Sequence, residues 1–290
     1  MKVGIGLPST IPGVDRDSLL TWARRAEERG FSTLGTIDRV VYGNYESLIA
    51  LAAAAAVTER IRLMTDILLS PVRGNGALLA KQAATIDSLS NGRLTLGIAV
   101  GVREEDYEAT ATPFDERGKL FDAQLAEMRR VWAGADYGPA GAIGPPPSRP
   151  DGPELIIGGN LAATFRRVAE HGDGWTMGGG APDQFREMSE KVKAAWSDAG
   201  REGAPRLIAL CYYGLGEHAE EAAREDLGDY YAWLGEDIAR QIIESAATDG
   251  DTIRAYRDAF AEAGADELIC FPTSTDPAQV DLLADAVLEP

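Results

Sequence analysis

The chain has 290 residues, 45% of them hydrophobic and 26% charged, which gives it enough apolar material to bury a large core. Acidic residues outnumber basic ones by 46 to 28, and the formal net charge of −18 repels nucleic acid and anionic membrane surfaces, so neither is a first choice of partner. Cys211 and Cys270 each lie in an apolar run and are too few to staple a fold of this size, so they are expected as buried, reduced thiols.

The opening MKVGIGLPS runs from one lysine through a short apolar stretch into a proline and shows no cleavage site, which predicts a first strand rather than a leader. No apolar stretch reaches the roughly 18 residues of a spanning helix. Even the alanine-rich run from Leu51 to Val57 is bounded by Glu46, Glu59 and Arg60. A cytoplasmic location is expected.

From there, short β-branched runs alternate with helical periodicity to the end of the chain, the pattern of a parallel sheet. Strands are predicted at Val3–Leu7, Thr33–Ile37, Arg62–Leu68, Leu94–Val100, Glu154–Ile157, Gly174–Met177, Arg206–Tyr213 and Glu267–Phe271. Helix starts are read at Thr112-Pro113 with Asp115 following, and at Asp276-Pro277; Gly30, Gly92, Gly200 and Gly264 sit where helices should stop. Eight such units closing on a C-terminal helix predict an α/β fold, a single (β/α)8 TIM barrel spanning 1–290, with an open doubly wound sheet as the alternative.

Two segments break the rhythm. Residues 133–153 carry six prolines and five glycines, so they are neither helix nor central strand; a plain connector and a lid over the barrel mouth are equally compatible with them. The region from about 219 to 250 exceeds one crossover helix and breaks near Leu234 to Asp237, which predicts an extra helical segment.

Catalytic groups of such a barrel come from the C-terminal ends of the strands and the loops after them. Those positions lack the usual tools. His171 and His218 form no HxH or HExxH pair, no lysine ends a strand, and GxSxG is absent, so zinc hydrolysis, Schiff-base chemistry and the commonest esterase mechanism are disfavoured and no metal is expected. A chain poor in acids, bases and nucleophiles points to a cofactor. Strand five ends as LIIGGN, placing Gly158, Gly159 and Asn160 at the start of a helix near Ala162, and strand six leads through Gly178, Gly179 and Gly180 into a helix near Pro182. Such turns either allow tight loops or present free amides to a phosphate. Arg39, Arg73 and Arg103 follow strands two, three and four and would suit an anion or simply be solvated, while Asp38 beside Arg39 either meets a ligand or pairs with that arginine. Tyr42, Tyr45, Tyr107, Tyr212 and Tyr213 lie near strand ends as pocket walls or as packing.

With GIGLP at the start, AEERGFSTLGTIDR around strand two, LLAKQAATIDSLSNGRLTLGIAVGVREEDYEATATPFDERG across helix three and strand four, and GDGWTMGGG after strand five, the chain resembles the bacterial luciferase-like oxidoreductases. The resemblance covers nearly the whole chain and is most specific from Ala80 to Gly118. It implies a (β/α)8 barrel using reduced flavin (FMN) or the deazaflavin coenzyme F-420 for hydride transfer or monooxygenation of a small organic substrate. Carried over by position, it implies a non-proline cis peptide at Asp66–Ile67 under the cofactor ring, ring contacts from Val100, Gly101, Val102 and Glu105, a phosphate loop at Gly158, Gly159 and Asn160, and Gly178 and Gly179 beside it. Asp38 is then a cofactor contact, Asp38 and Arg39 are candidate catalytic groups, and Arg39, Tyr42, Arg73 and Arg103 are candidate substrate contacts. The chain departs from the pattern at Arg39, where many members carry histidine; arginine keeps its proton and orients anions rather than moving protons. FMN is narrowly preferred over F-420, since a polyglutamyl tail would want a basic groove. A homodimer through the helices after strands two and three is expected, with a separate flavin reductase as a candidate electron donor. A flavin-storage barrel and a sugar-phosphate lyase or isomerase would use the same glycine loops.

Overall fold

In the computed structural model, which describes residues 1–288, the parallel strands are β1 Lys2–Gly6, β2 Thr33–Thr36, β3 Arg62–Thr65, β4 Leu68–Leu69, β5 Leu94–Ala99, β6 Glu154–Gly158, β7 Gly174–Thr176, β8 Arg206–Tyr213 and β9 Glu267–Pro272. Each pairs with the next in space, β1 with β9 and β3 with β5, so the sheet closes on itself. The expected third strand is present in two pieces: β3 and β4 both pair with β5, and the Asp66–Ile67 peptide between them is cis. Counted as staves, the barrel has the eight read from the sequence, and closure removes the open-sheet alternative.

Around the barrel run α1 Arg16–Arg29, α2 Ser47–Ala55, α3 Gly76–Leu89, α4 Glu104–Ala109, α5 Arg117–Trp132, α6 Ala162–His171, α7 Pro182–Asp198, α8 Ala219–Tyr230, α9 Glu236–Glu244, α10 Gly250–Glu262 and α11 Ala278–Val287. Local chemistry sets several starts. Asp15 accepts from the amides of Asp17 and Ser18 at α1, and Asp249 does the same for Asp251 and Thr252 at α10. Gly30, at φ 87°, ends α1 in the left-handed conformation. The start expected at Thr112-Pro113 is instead a single 3-10 turn, Phe114–Glu116, and the helix proper begins at Arg117; α4 before it was not anticipated.

The interior is layered by the two-residue period of the strands. At the N-terminal end Arg206 bridges Glu154 and Glu267, Arg62 Nη2 donates to Glu154 (2.9 Å) and Thr95 (2.6 Å), and Thr33 Oγ1 donates to Glu267 (2.7 Å). Above lies an apolar layer of Met64, Ile156, Ile208, Leu210, Ile269 and Phe271. The Phe271 ring occupies space that a Cβ on Gly6 or Gly35 would enter, at 2.3 Å and 2.9 Å.

The two irregular segments fall at opposite ends. Residues 133–153 follow a helix, so they lie on the N-terminal face: Ser148 N donates to Asp87 (2.7 Å), Lys81 Nζ to the Gly144 carbonyl (2.6 Å), and Arg149 meets Asp173 (3.4 Å). That placement overturns the lid reading of this segment. The segment after β8 comprises α8, a 3-10 turn at Ala232–Leu234 and α9, broken at Gly235, and it roofs the C-terminal mouth.

Gly97 is the tightest approach in the wall, where an added Cβ would stand 2.0 Å from the Thr65 carbonyl oxygen. Backbone cannot yield as a flexible side chain can. Gly97→Ala is therefore expected to lower unfolding stability by about 3 kcal/mol or more in urea titration; an unchanged midpoint would contradict the packing described.

Candidate functional site

Asp38, just past β2, is 2% exposed, and its carboxylate is fully engaged. It accepts from Leu69 N (2.9 Å), Ser47 Oγ (3.2 Å) and Arg73 Nη2 (2.6 Å), and Arg73 also pairs with Glu46. Burial pulls the Arg73 guanidinium down, yet the carboxylates of Asp38 and Glu46 outweigh it and hold the group above its ordinary range. The partner of Asp38 is thus Arg73 rather than the adjacent Arg39. These two residues tie the loops after β2 and β4 together instead of standing open to a ligand.

Arg39 turns the other way. Its Nη1 donates to the Tyr230 carbonyl (2.9 Å), Nη2 lies 3.4 Å from Glu105, and the guanidinium stacks on Tyr42 (4.6 Å to the ring centre) and Tyr230 (5.3 Å). Arg103, at the start of α4, covers Tyr230 (4.9 Å) and Trp233 (5.1 Å). It is 8% exposed, and among the described residues it makes neither a hydrogen bond nor an ion pair, with Nε buried and unpartnered. Tyr42 donates to Asp229 (2.5 Å) and meets Tyr230 edge-on (ring centres 5.2 Å apart), while the hydroxyls of Tyr212 and Tyr231 lie 2.6 Å apart. Asp106 completes the rim by accepting from Val40 N (3.0 Å) and Val41 N (2.8 Å). Tyr230, Trp233 and Asp106 were missed in the sequence; the extra segment after strand seven was the available signal for the first two.

The remaining tyrosine candidates pack in the interior or face solvent. Tyr107 is buried with its hydroxyl on the Val100 carbonyl, Tyr213 is buried against the outer layer, and Tyr45 lies on the surface. Gly101, at φ 74°, packs against Leu69, and Val102 is exposed. Cys211 and Cys270 are free and buried, with sulfurs 3.7 Å apart on adjacent strands.

The glycine turns make the cradle. An added Cβ on Gly158 would meet Ile67 Cδ1 at 2.4 Å, and one on Gly159, at φ 125°, would meet Thr164 Oγ1 at 2.7 Å, while Trp175 Nε1 fixes the turn by donating to the Gly159 carbonyl (2.7 Å). Asn160 is exposed, Leu161 caps α6 with no side-chain bond, and while the Thr164 amide donates to the Leu161 carbonyl (2.8 Å), those of Ala162 and Ala163 are left for an outside acceptor. Around Gly178 and Gly179 nothing lies within 4 Å of an added Cβ, so this wall is open. An open glycine wall, uncapped amides and an unpaired buried guanidinium fit a bulky ligand with an anionic tail. Among the described residues there is no group of three or more His, Cys, Asp or Glu placed to hold a metal ion, and no helix is long and apolar enough to cross a membrane.

Inside the mouth, Asp66 is 2% exposed, accepts from Thr176 Oγ1 (2.9 Å) on Oδ1, and leaves Oδ2 without a partner. Burial raises its carboxyl to about 7, with the Thr176 hydrogen bond opposing.

A family model for luciferase-like monooxygenases matches residues 1–269. The uncharacterized protein Rv0940c of Mycobacterium tuberculosis is 31% identical over 210 residues, covering 62% of this chain and 71% of that protein. The FMNH2-dependent dimethylsulfone monooxygenase of Pseudomonas putida is 24% identical over 72% of this chain and 61% of its own length. Among solved structures, an F-420-dependent secondary alcohol dehydrogenase holding an F-420–acetone adduct superposes with a TM-score of 0.82 at 18% identity, covering 99% of this chain and 98% of that one.

The folded protein holds the Asp66 proton more tightly than the unfolded chain, so stability falls as pH rises from the ordinary aspartate range through about 7. Asp66→Asn is expected to melt higher than the parent at about pH 8.5 and to lose that advantage towards about pH 5. Thermal melts at both values check the sign.

Proposed function

The chain belongs to the luciferase-like monooxygenase family, and on that premise we propose that it is an oxidoreductase working with reduced FMN on a small organic substrate. The observation that carries the reading is Arg103, a buried cation without a counter-ion at the mouth of a chain with net charge −18. Such a guanidinium is costly unless an anion completes it. In this reading Arg103 and the amides of Asn160, Ala162 and Ala163, beside the Gly158–Gly159 turn, receive the anionic tail, and Gly178 and Gly179 leave room for the ring. Val100, Gly101, Glu105 and the Asp66–Ile67 segment complete the ring contacts. When bound, reduced flavin supplies a hydride to a substrate or electrons to oxygen. The chain's own part is to position and to exclude water: the Asp38–Arg73 pair stiffens two loops, Tyr42, Tyr230 and Trp233 close the mouth, and Arg39 orients a negatively charged substrate group without giving up its proton.

A second reading places F-420 in the same cradle, and the F-420-dependent alcohol dehydrogenase neighbour favours it. Its longer anionic tail would need more cationic surface, and with Arg73 consumed by Asp38 and Glu46 only Arg39 and Arg103 remain of the three rim arginines. Anaerobic titration of the apo-protein with each cofactor, followed by fluorescence quenching, separates the two. A storage barrel would bind flavin and show no substrate-dependent reoxidation in stopped flow, and a sugar-phosphate lyase would respond to neither cofactor. We place the protein in the cytoplasm, where its two buried thiols stay reduced, with a separate flavin reductase as donor.

Arg103→Gln is expected to weaken binding of the accepted cofactor on the order of tenfold or more while leaving the melting temperature unchanged or raised, because the variant no longer buries a lone charge. Unchanged affinity would refute the role. The homodimer uses the faces of α2 and α3 where Ile49 (72% exposed) and Leu78 (53%) stand out. Ile49→Glu is expected to convert dimer to monomer in light scattering; a parent that is already monomeric at micromolar concentration would overturn the assembly.

A further inference from the structure

We propose that Asp66 is the proton-holding residue of this site, a carboxyl enclosed in the barrel whose proton sets how strongly the mouth accepts a negatively charged ligand. The ligand half of the proposal rests on the cofactor reading above.

The inference starts from strand alternation. Arg62, Met64 and Asp66 follow one another up the inner face: Arg62 joins the ionic layer, Met64 the apolar layer, and Asp66 the level above, where its amide donates to the Thr36 carbonyl (2.7 Å). From there the carboxyl meets a single polar side chain, Thr176 of β7, and Oδ2 meets none among the described residues.

Charge counting gives the consequence. The ionisable groups facing Asp66 from below are Arg62 on β3, Glu154 on β6, Arg206 on β8 and Glu267 on β9. Two arginines are matched by two glutamates within that layer, so no cation is left for a third carboxylate. On the β2 side, Asp38 is matched by Arg73. An ionised Asp66 would be an uncompensated negative charge in a dry interior, and burial accordingly favours its neutral form up to about 7. A neutral carboxyl leaves an anion in the mouth unopposed; an ionised one repels it through a medium that screens poorly. The chain has no histidine for the task, since His171 sits at the C-terminal end of α6 and His218 has a side chain that is 79% exposed.

Two measurements test this. In the first, infrared difference spectra of the apo-protein against Asp66→Asn should show a protonated-carboxyl band, absent from the variant, that disappears with a midpoint near 7. Thr176→Val, which removes the one bond favouring the ionised form, should move that midpoint upward, and it serves as the probe should Asp66→Asn fail to fold. No such band at about pH 6, or a midpoint in the ordinary aspartate range, overturns the proposal. In the second, the Kd for dithionite-reduced FMN is measured anaerobically at about pH 6 and about pH 8.5 in both proteins; the ligand's own ionisation enters equally in each. Between those values the parent should lose on the order of tenfold in affinity relative to Asp66→Asn. Equal pH dependence overturns the ligand half. Failure of both proteins to bind at either pH overturns the cofactor reading and the ligand half with it, while the infrared titration decides the carboxyl half independently.

Discussion

A closed barrel encloses a narrow column of space that side chains must fill completely, and in this protein the base of that column is ionic. Arg206 stands between Glu154 and Glu267, with Arg62, Thr95 and Thr33 completing their hydrogen bonds. Removing either arginine or either glutamate would leave an unbalanced charge in this layer. The layer also fixes register, since a slip of one residue would turn each of these side chains outward into the apolar contacts of the helices. Everything above inherits that register: the Met64 and Phe271 level, then Asp66 and Thr176, then the mouth.

At the mouth, charges are divided between two tasks. Asp38, Arg73 and Glu46 bond to one another, Asp106 Oδ1 accepts from the backbone, and these bonds hold the loops in place. Arg39 and Arg103 instead both stack on Tyr230, Arg39 while meeting Glu105 at 3.4 Å and Arg103 with no carboxylate partner among the described residues. A guanidinium held by rings keeps its donors available in a way that one held by a carboxylate does not.

Much of this was legible in the sequence. Strands ended within a residue or two of their expected limits because β-branched runs bounded by glycine and by helix caps admit few other readings. The third strand was read as continuous because nothing in its composition marks the change of direction at Asp66–Ile67. The start at Thr112-Pro113 failed because the proline there opens a 3-10 turn one step before the helix. Composition alone leaves 133–153 open between connector and lid, although a segment that follows a helix in a parallel barrel returns to the N-terminal face and one that follows a strand emerges at the mouth. Which arginine Asp38 would take, and that Asp66 would lack a counter-ion, depend on neighbours distant in the chain, so local pattern gave no signal for either.

The proline-rich excursion lies at the end of the barrel away from the glycine cradle, and its tip at Gly138–Ala140 is exposed. A reporter or surface anchor spliced into that tip would hold the molecule by its closed end, with its opening facing whatever solution or electrode is presented to it.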